Sequence, residues 1–208
     1  MIEHRTFGWK DAESTCAHSY LVPPLLKEFQ KRFEGKPATI LDLGCGNGFV
    51  SAELAQLGHC VIAVDASSDG IEIARSNFAN VRFHVCSIYD EQLLSIVEEL
   101  VDCVISLEVV EHLFYPRKLF EQSYRVLKPG GIFVLSTPYH GYLKNLAISL
   151  LDGWDKHFTV DCDGGHIKFF SNKTFARMAF DARFRYPRLL GAGRLPWLWK
   201  STIMITQK

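Results

Sequence analysis

Ile40-Leu41-Asp42-Leu43-Gly44-Cys45-Gly46-Asn47-Gly48 is the stretch that decides the fold. An apolar run suited to a buried strand, Thr39–Leu43, leads straight into closely spaced glycines. A helical pattern, Phe49–Leu57, follows at once. Glycine at such a turn lets the backbone approach a ligand with no Cβ in the way. Strand, glycine turn and helix in immediate succession form the first half of a βαβ unit.

The spacing separates this turn from a dinucleotide loop. In G-x-G-x-x-G the third glycine would fall at position 49, which is Phe49; it comes one residue early, at Gly48. Such a turn suits a sulfonium amino acid, with no pyrophosphate on the helix N-terminus. The second strand ends in Asp65, 19 residues after Gly46. A carboxylate there has two oxygens to accept from the two hydroxyls of a ribose. The plainer alternative is a set of turn glycines with a helix-capping Asp.

Outward from the loop, apolar β-branched runs alternate with helical patterns. Cys60–Val64, Val81–Cys86, Asp102–Leu107 and Gly131–Thr137 read as buried strands. Asp69–Phe78, Glu91–Glu99 and Pro116–Leu127 read as the helices between them. Strict alternation predicts right-handed crossovers and a parallel sheet. After a helix over Asn172–Phe180, capped by Ser171 or Asn172, come Phe184–Leu190 and Ser201–Thr206, with no helix between them. They are expected to pair as an antiparallel hairpin. The predicted fold class is α/β: a Rossmann-like seven-stranded sheet, mostly parallel, with a C-terminal antiparallel hairpin and helices on both faces. One domain is expected over residues 1–208. Residues 1–35 form an N-terminal cap or lid. Residues 138–170, which fit no strand–helix rhythm, form an insertion on the substrate side.

The chain has 208 residues, 48% hydrophobic and 22% charged, as expected of a globular protein with one core. Lys+Arg and Asp+Glu are 23 each, so the formal net charge is zero, which argues against a nucleic-acid partner. Cys16, Cys45, Cys60, Cys86, Cys103 and Cys162 are scattered without a C-x-x-C pair. That pattern suits reduced thiols and a cytoplasmic location. Met1–Lys10 is polar and lacks a signal-peptide core, and no apolar run is long enough to span a bilayer.

The motif Asp42–Gly48 resembles the first motif of class I S-adenosylmethionine-dependent methyltransferases, and Lys128-Pro129-Gly130-Gly131 matches a second landmark of that family. The resemblance covers roughly residues 36–137. It implies that Asp42, Gly44, Cys45 and Gly46 form the donor loop, with Gly44 and Gly46 against the methionine part. It implies that Asp65, followed by Ala66, holds the ribose. Ser87 and Ile88 would flank the adenine, and Leu107 would offer its carbonyl to the ammonium group. The cofactor implied is S-adenosylmethionine, with S-adenosylhomocysteine as product.

Glu108-Val109-Val110-Glu111-His112-Leu113 follows the fourth strand. If a helical turn starts at Glu108, then Glu108, Glu111 and His112 share one face and could bind a divalent cation. Alternatively, two acids at a helix N-terminus merely complement its dipole. E-x-x-E-H at this place is similar to two metal-dependent O-methyltransferase groups. One acts on the 3′ ends of small RNAs, the other in ubiquinone biosynthesis. Both carry a further His before a K-F pair, matched here by His166-Ile167-Lys168-Phe169. The resemblance implies Glu108, Glu111, His112 and His166 as ligands of Mg²⁺, Mn²⁺, Fe²⁺, Co²⁺ or Zn²⁺. It gives Glu111 and His112 catalytic roles, with a remaining His or Glu taking the acceptor's proton.

Pro138-Tyr139-His140 follows the fifth strand at the expected substrate mouth, making His140 a candidate base; His157 is a weaker one. In the cap, Tyr20 and His18 are candidates for donor or substrate contact, while Trp9 and Phe7 suit lid packing. Where the ubiquinone-pathway relatives place an Arg for the donor carboxylate, Lys27 is the nearest base. Tyr142–Leu151 reads as a helix packed on the domain or, alternatively, as an exposed apolar lid meeting a lipophilic substrate or the surface of a membrane. The expected partner is a small-molecule acceptor such as a catechol, methylated on oxygen. Two rivals are an RNA 3′-end 2′-O-methyltransferase, which would need a basic groove, and a non-catalytic donor-binding partner subunit.

Overall fold

A computed structural model describes residues 8–158 and 165–208, without the Lys156 side chain. In chain order the elements are α1 (His18–Phe33), β1 (Thr39–Leu43), α2 (Phe49–Gln56), β2 (Cys60–Asp65), α3 (Ser68–Asn77), β3 (Arg82–Val85), α4 (Leu93–Val97) and β4 (Val101–Ser106). A 3-10 turn (Val110–His112) follows, then α5 (Arg117–Val126), β5 (Leu127–Pro138), α6 (Tyr142–Leu150), α7 (Trp154–Phe158), α8 (Asn172–Asp181), β6 (Arg185–Ala192) and β7 (Ser201–Gln207).

The seven strands form one sheet in the order β3-β2-β1-β4-β5-β7-β6. β1 through β5 pair in parallel; β7 runs antiparallel to both β5 and β6. The mostly parallel sheet with its terminal hairpin is therefore as expected. Alternating side chains of β1 serve two cores. Leu41 and Leu43 pack with α4, α5 and α8 through Leu93, Phe120 and Phe175. Ile40 packs on the other face with α1, α2 and α3 through Phe29, Leu54 and Ile71.

Several expectations change. β5 begins at Leu127, not Gly131, because Lys128–Gly130 continue the strand, and Gly130 N donates to Lys208 O at 3.1 Å. No helical turn starts at Glu108. That residue takes φ 53°, and a tighter 3-10 turn covers Val110–His112 instead. Ser171 is the cap of α8, its hydroxyl accepting from Thr174 N at 3.2 Å. Ser67 caps α3 in the same way, so that helix begins at Ser68, one residue before its predicted start.

The strand order fixes where a ligand sits. The chain runs outward from β1 to β2 and β3, then crosses back to β4 on the other side. The carboxyl ends of β1 and β4 therefore flank a topological switch point, where open α/β sheets form their ligand crevice. The glycine loop leaves β1 there, and the Glu108–His112 segment leaves β4.

Candidate active site

The glycine loop is held open from below. Gly44 N and Cys45 N both donate to Val64 O, at 2.8 and 3.1 Å, and Gly46 N donates to Asp65 Oδ2 at 2.8 Å. Gly44, Gly46 and Gly48 all have positive φ. A Cβ on Gly46 would lie 2.4 Å from the Trp9 ring, so no other residue fits beneath this cap. A Cβ on Gly44 would lie 2.5 Å from Val109 Cγ2. The loop and the acid-bearing segment after β4 thus share one crevice.

Asp65 accepts from Gly46 N and, through Oδ1, from Ser67 N at 2.7 Å. Two of its roughly four lone-pair positions stay available to a sugar diol. Burial pushes its carboxyl above the usual range, only partly offset by those amides. Ala66 follows it, half-buried. Cys45 is half-buried, and burial raises its thiol well above the ordinary value. Ser87 and Ile88 are buried just beyond β3. The Ser87 hydroxyl accepts from Tyr89 N at 3.2 Å, and Ile88 joins the core. Leu107 is half-buried just past β4.

Asp42 lies beneath the loop. It is 3% exposed and accepts from Ser51 Oγ of α2 at 2.6 Å. Burial raises its carboxyl from 3.8 to about 7, with the Ser51 bond working against the rise. An acid with a raised folded-state value stabilises most below its unfolded value, and that contribution fades as pH climbs to the folded value. The wild type should therefore lose stability relative to Asp42→Asn between about pH 4 and pH 7, by at most on the order of 4 kcal/mol. Denaturant melts of both proteins across that range check this; a pH-independent difference contradicts it.

Glu111, His112 and His166 come together. One ligand atom from each lies within 4.8 Å of the others. The backbone makes the meeting: Glu111 O accepts from both Ile167 N and Lys168 N at 3.0 Å, drawing a segment distant in sequence onto the 3-10 turn. Glu111 is fully buried, and among the described residues neither carboxylate oxygen has a hydrogen-bond partner. Burial, then the nearby Glu108 carboxylate, pushes its pKa well above the carboxylate range. His166 Nε2 stands 4.0 Å from Glu111 Oε1, and burial lowers this imidazole to about 4. His112 Nδ1 lies 3.2 Å from Gly165 O, and its ring meets that of His166 at 4.9 Å.

A bare buried carboxylate is costly, and two of them more so. A neutral imidazole keeps a lone pair free for a cation. The donor set of one carboxylate and two imidazoles, with an orphaned acid at its centre, fits a divalent metal ion.

Glu108 stands outside this trio. Its carboxylate accepts from Ser136 Oγ at 2.7 Å and from Ser201 Oγ at 3.0 Å. The turn that would have put it on the same face as Glu111 and His112 does not form. Tyr20 joins the same network, its hydroxyl 3.4 Å from Ser201 Oγ, on the side of Glu108. His140 is 8% exposed and stacks on Phe158 at 5.5 Å; burial, then Lys144, lowers it to about 4. His157 meets it edge-on at 5.9 Å. His18 stacks on Phe49 at 5.1 Å. Phe7 and Cys162 lie outside the described residues.

Several contacts were not foreseen. Asn47 donates to Asp11 O and Glu13 O, at 3.0 and 2.9 Å, and Asp69 accepts from Gly8 N and Trp9 N, at 3.0 and 3.1 Å. Together they strap residues 8–13 over the loop. Lys144 of α6 is 7% exposed and donates to Tyr139 O at 2.8 Å. Nothing in a Y-L-K-N-L pattern marks that lysine as the residue facing inward.

Residues 34–179 match a family described as a methyltransferase domain. Among curated proteins, the chain is 32% identical over 139 residues to a ubiquinone biosynthesis O-methyltransferase of Hydrogenovibrio crunogenus, covering 64% of this chain and 57% of that one. It is 37% identical over 119 residues to the Caulobacter vibrioides protein of that name, covering 56% and 46%. The chain thus spans about half the length of these relatives. Among solved structures, the magnesium protoporphyrin IX methyltransferase of Synechocystis with bound SAH superposes with a TM-score of 0.69 at 16% identity, over 90% of this chain and 81% of that one. A putative methyltransferase of Haloferax volcanii, solved with the Trm112 activator, gives 0.66 at 18% identity, over 88% and 87%.

Proposed function

Since the chain belongs to the methyltransferase domain family, we infer that it transfers the methyl group of S-adenosylmethionine to an oxygen of a small molecule, assisted by a divalent cation. The observation that carries the reading is Glu111: a fully buried carboxylate, with no hydrogen-bond partner among the described residues, beside two imidazoles, in the crevice that the donor loop lines. The names of the curated relatives support oxygen as the atom methylated.

The donor's sulfonium is already electrophilic, so the protein must align the acceptor and help it lose a proton. An oxygen lone pair forms the new C–O bond as the C–S bond breaks and leaves the thioether of S-adenosylhomocysteine. Gly44 and Gly46 give the methionine end room, and Asp65 holds the sugar. Glu111, His112 and His166 would hold the cation. When bound, such an ion supplies Lewis acidity that lowers the pKa of an acceptor hydroxyl. An acceptor with two adjacent oxygens, such as a catechol, suits that arrangement best. His140, held near 4, is a poor proton acceptor at neutral pH. Cys86 and Cys103, buried as free thiols, support a reducing compartment such as the cytoplasm. No helix among the described residues is long and apolar enough to cross a membrane.

The test is methylation with a labelled donor over a panel of catechols, simple phenols, amines and RNA ends, before and after chelation. Turnover of catechols should vanish with chelator and return with a divalent ion. Turnover that survives full metal removal would exclude the cation, and label on amines or RNA ends alone would exclude the acceptor class.

A further inference from the structure

Residues 8–13 are fastened across the glycine loop by two side chains. Asn47 donates to Asp11 O and Glu13 O, and Asp69 Oδ2 accepts from Gly8 N and Trp9 N. Among the described residues, no main-chain hydrogen bond ties this strap to the rest of the domain. Both anchors are built into the elements that line the donor crevice. Asn47 is 2% exposed and stands between Gly46 and Gly48. Asp69 reaches Asp65 through one residue. Its Oδ1 accepts from the Ser67 hydroxyl, and Ser67 N donates to Asp65 Oδ1 at 2.7 Å. Asp65 Oδ2 in turn accepts from Gly46 N. The path then closes on itself, because the Trp9 ring rests on Gly46 and on Gly70, where a Cβ at either glycine would meet it. Ser67 is buried, so no water stands in for a lost partner in this ring of contacts.

We propose that Asp69 is a positioning residue for the methyl donor, coupling closure of the strap to the grip of Asp65 on the ribose. The inference rests on the reading of this crevice as the donor site. Asp69 engages Ser67 with one oxygen and the strap with the other, so it acts through them without touching the ligand. A closed Trp9 keeps water from the edge of the crevice between Gly46 and α3, which strengthens hydrogen bonds to the sugar. A bound donor fixes Asp65, and with it Ser67, Asp69 and the strap. The coupling is reciprocal, as linkage requires. An acid that served only the first turn of α3 would contribute to stability through the helix dipole and leave donor binding alone.

Calorimetric titration of S-adenosylhomocysteine into wild type, Asp69→Ala, Trp9→Ala and the double variant tests this. Each single change should weaken binding about tenfold, and the double change little more than the larger single one, as for two parts of one latch. Asp69→Asn keeps an acceptor oxygen toward the strap and should recover most of the affinity. Trypsin cleavage after the exposed Lys10, followed by mass spectrometry, reads the strap directly. Saturating S-adenosylhomocysteine should slow that cleavage by about fivefold or more in wild type and leave it unchanged in Asp69→Ala. Single variants of unchanged affinity, a double effect equal to the product of the two singles, or wild-type cleavage indifferent to the ligand would overturn the proposal. Wild type that binds no S-adenosylhomocysteine would remove the donor reading itself, and this coupling with it.

Discussion

Glu111→Gln should lower turnover with a catechol acceptor by about 10²–10³-fold, roughly 3–4 kcal/mol of transition-state stabilisation, with little change in donor affinity. The substitution keeps the shape of the side chain and removes its charge. Among the described residues neither oxygen has a hydrogen-bond partner, and His166, 4.0 Å away, is held neutral. A structural carboxylate would behave otherwise, because its loss would unfold the chain. Here the metal-free protein should gain stability when the acid is removed. Glu111→Leu is expected to raise the stability of chelated protein by about 1–3 kcal/mol, as an unsatisfied buried polar group disappears. Activity lost and stability gained at one residue is the signature of a site built for a ligand. Full activity in Glu111→Gln, or a clear fall in the stability of chelated Glu111→Leu, would contradict the assignment.

The second large effect is expected at Asp65. Asp65→Ala should weaken binding of S-adenosylhomocysteine by about 1–3 kcal/mol, some tenfold to a hundredfold, in isothermal titration calorimetry. Two losses add. The sugar hydroxyls lose their acceptor, and Gly46 N and Ser67 N lose theirs, so the loop beneath the methionine end loosens. Asp65→Asn keeps one acceptor oxygen and should fall between wild type and Ala. With saturating donor, kcat should recover more than kcat/KM does, because the role proposed for Asp65 is in binding alone. Unchanged affinity in Asp65→Ala would remove the ribose from this position.

The fold was legible where one period dominates. β1, β2 and β4 are largely buried and read as mainly apolar runs, interrupted by Asp42 in β1 and Asp102 in β4, and the helices between them carry polar faces. The loop was legible because glycine has so few other reasons to recur at every second position. Glu108 was misplaced because a helical turn was assumed where a positive φ, followed by a 3-10 turn, re-aims the side chain. A Glu in the left-handed region leaves no mark on composition or spacing. The strap over the loop depends on Asn47 and Asp69 reaching main-chain groups of residues 8–13, contacts that side-chain patterns do not encode. The burial of Lys144 by α6 escaped for a related reason. Periodicity shows that a helix has an apolar side, but only the tertiary fold says which way it turns.

The last strand in chain order is an interior one. β7 lies between β5 and β6, and Ser201 at its start fixes the carboxylate of Glu108. A chain without β7 lacks both the hydroxyl that holds that carboxylate and the side chains of Ile203 and Met204 in the two cores, so a single strand completes the packing and sets the acid beside the crevice.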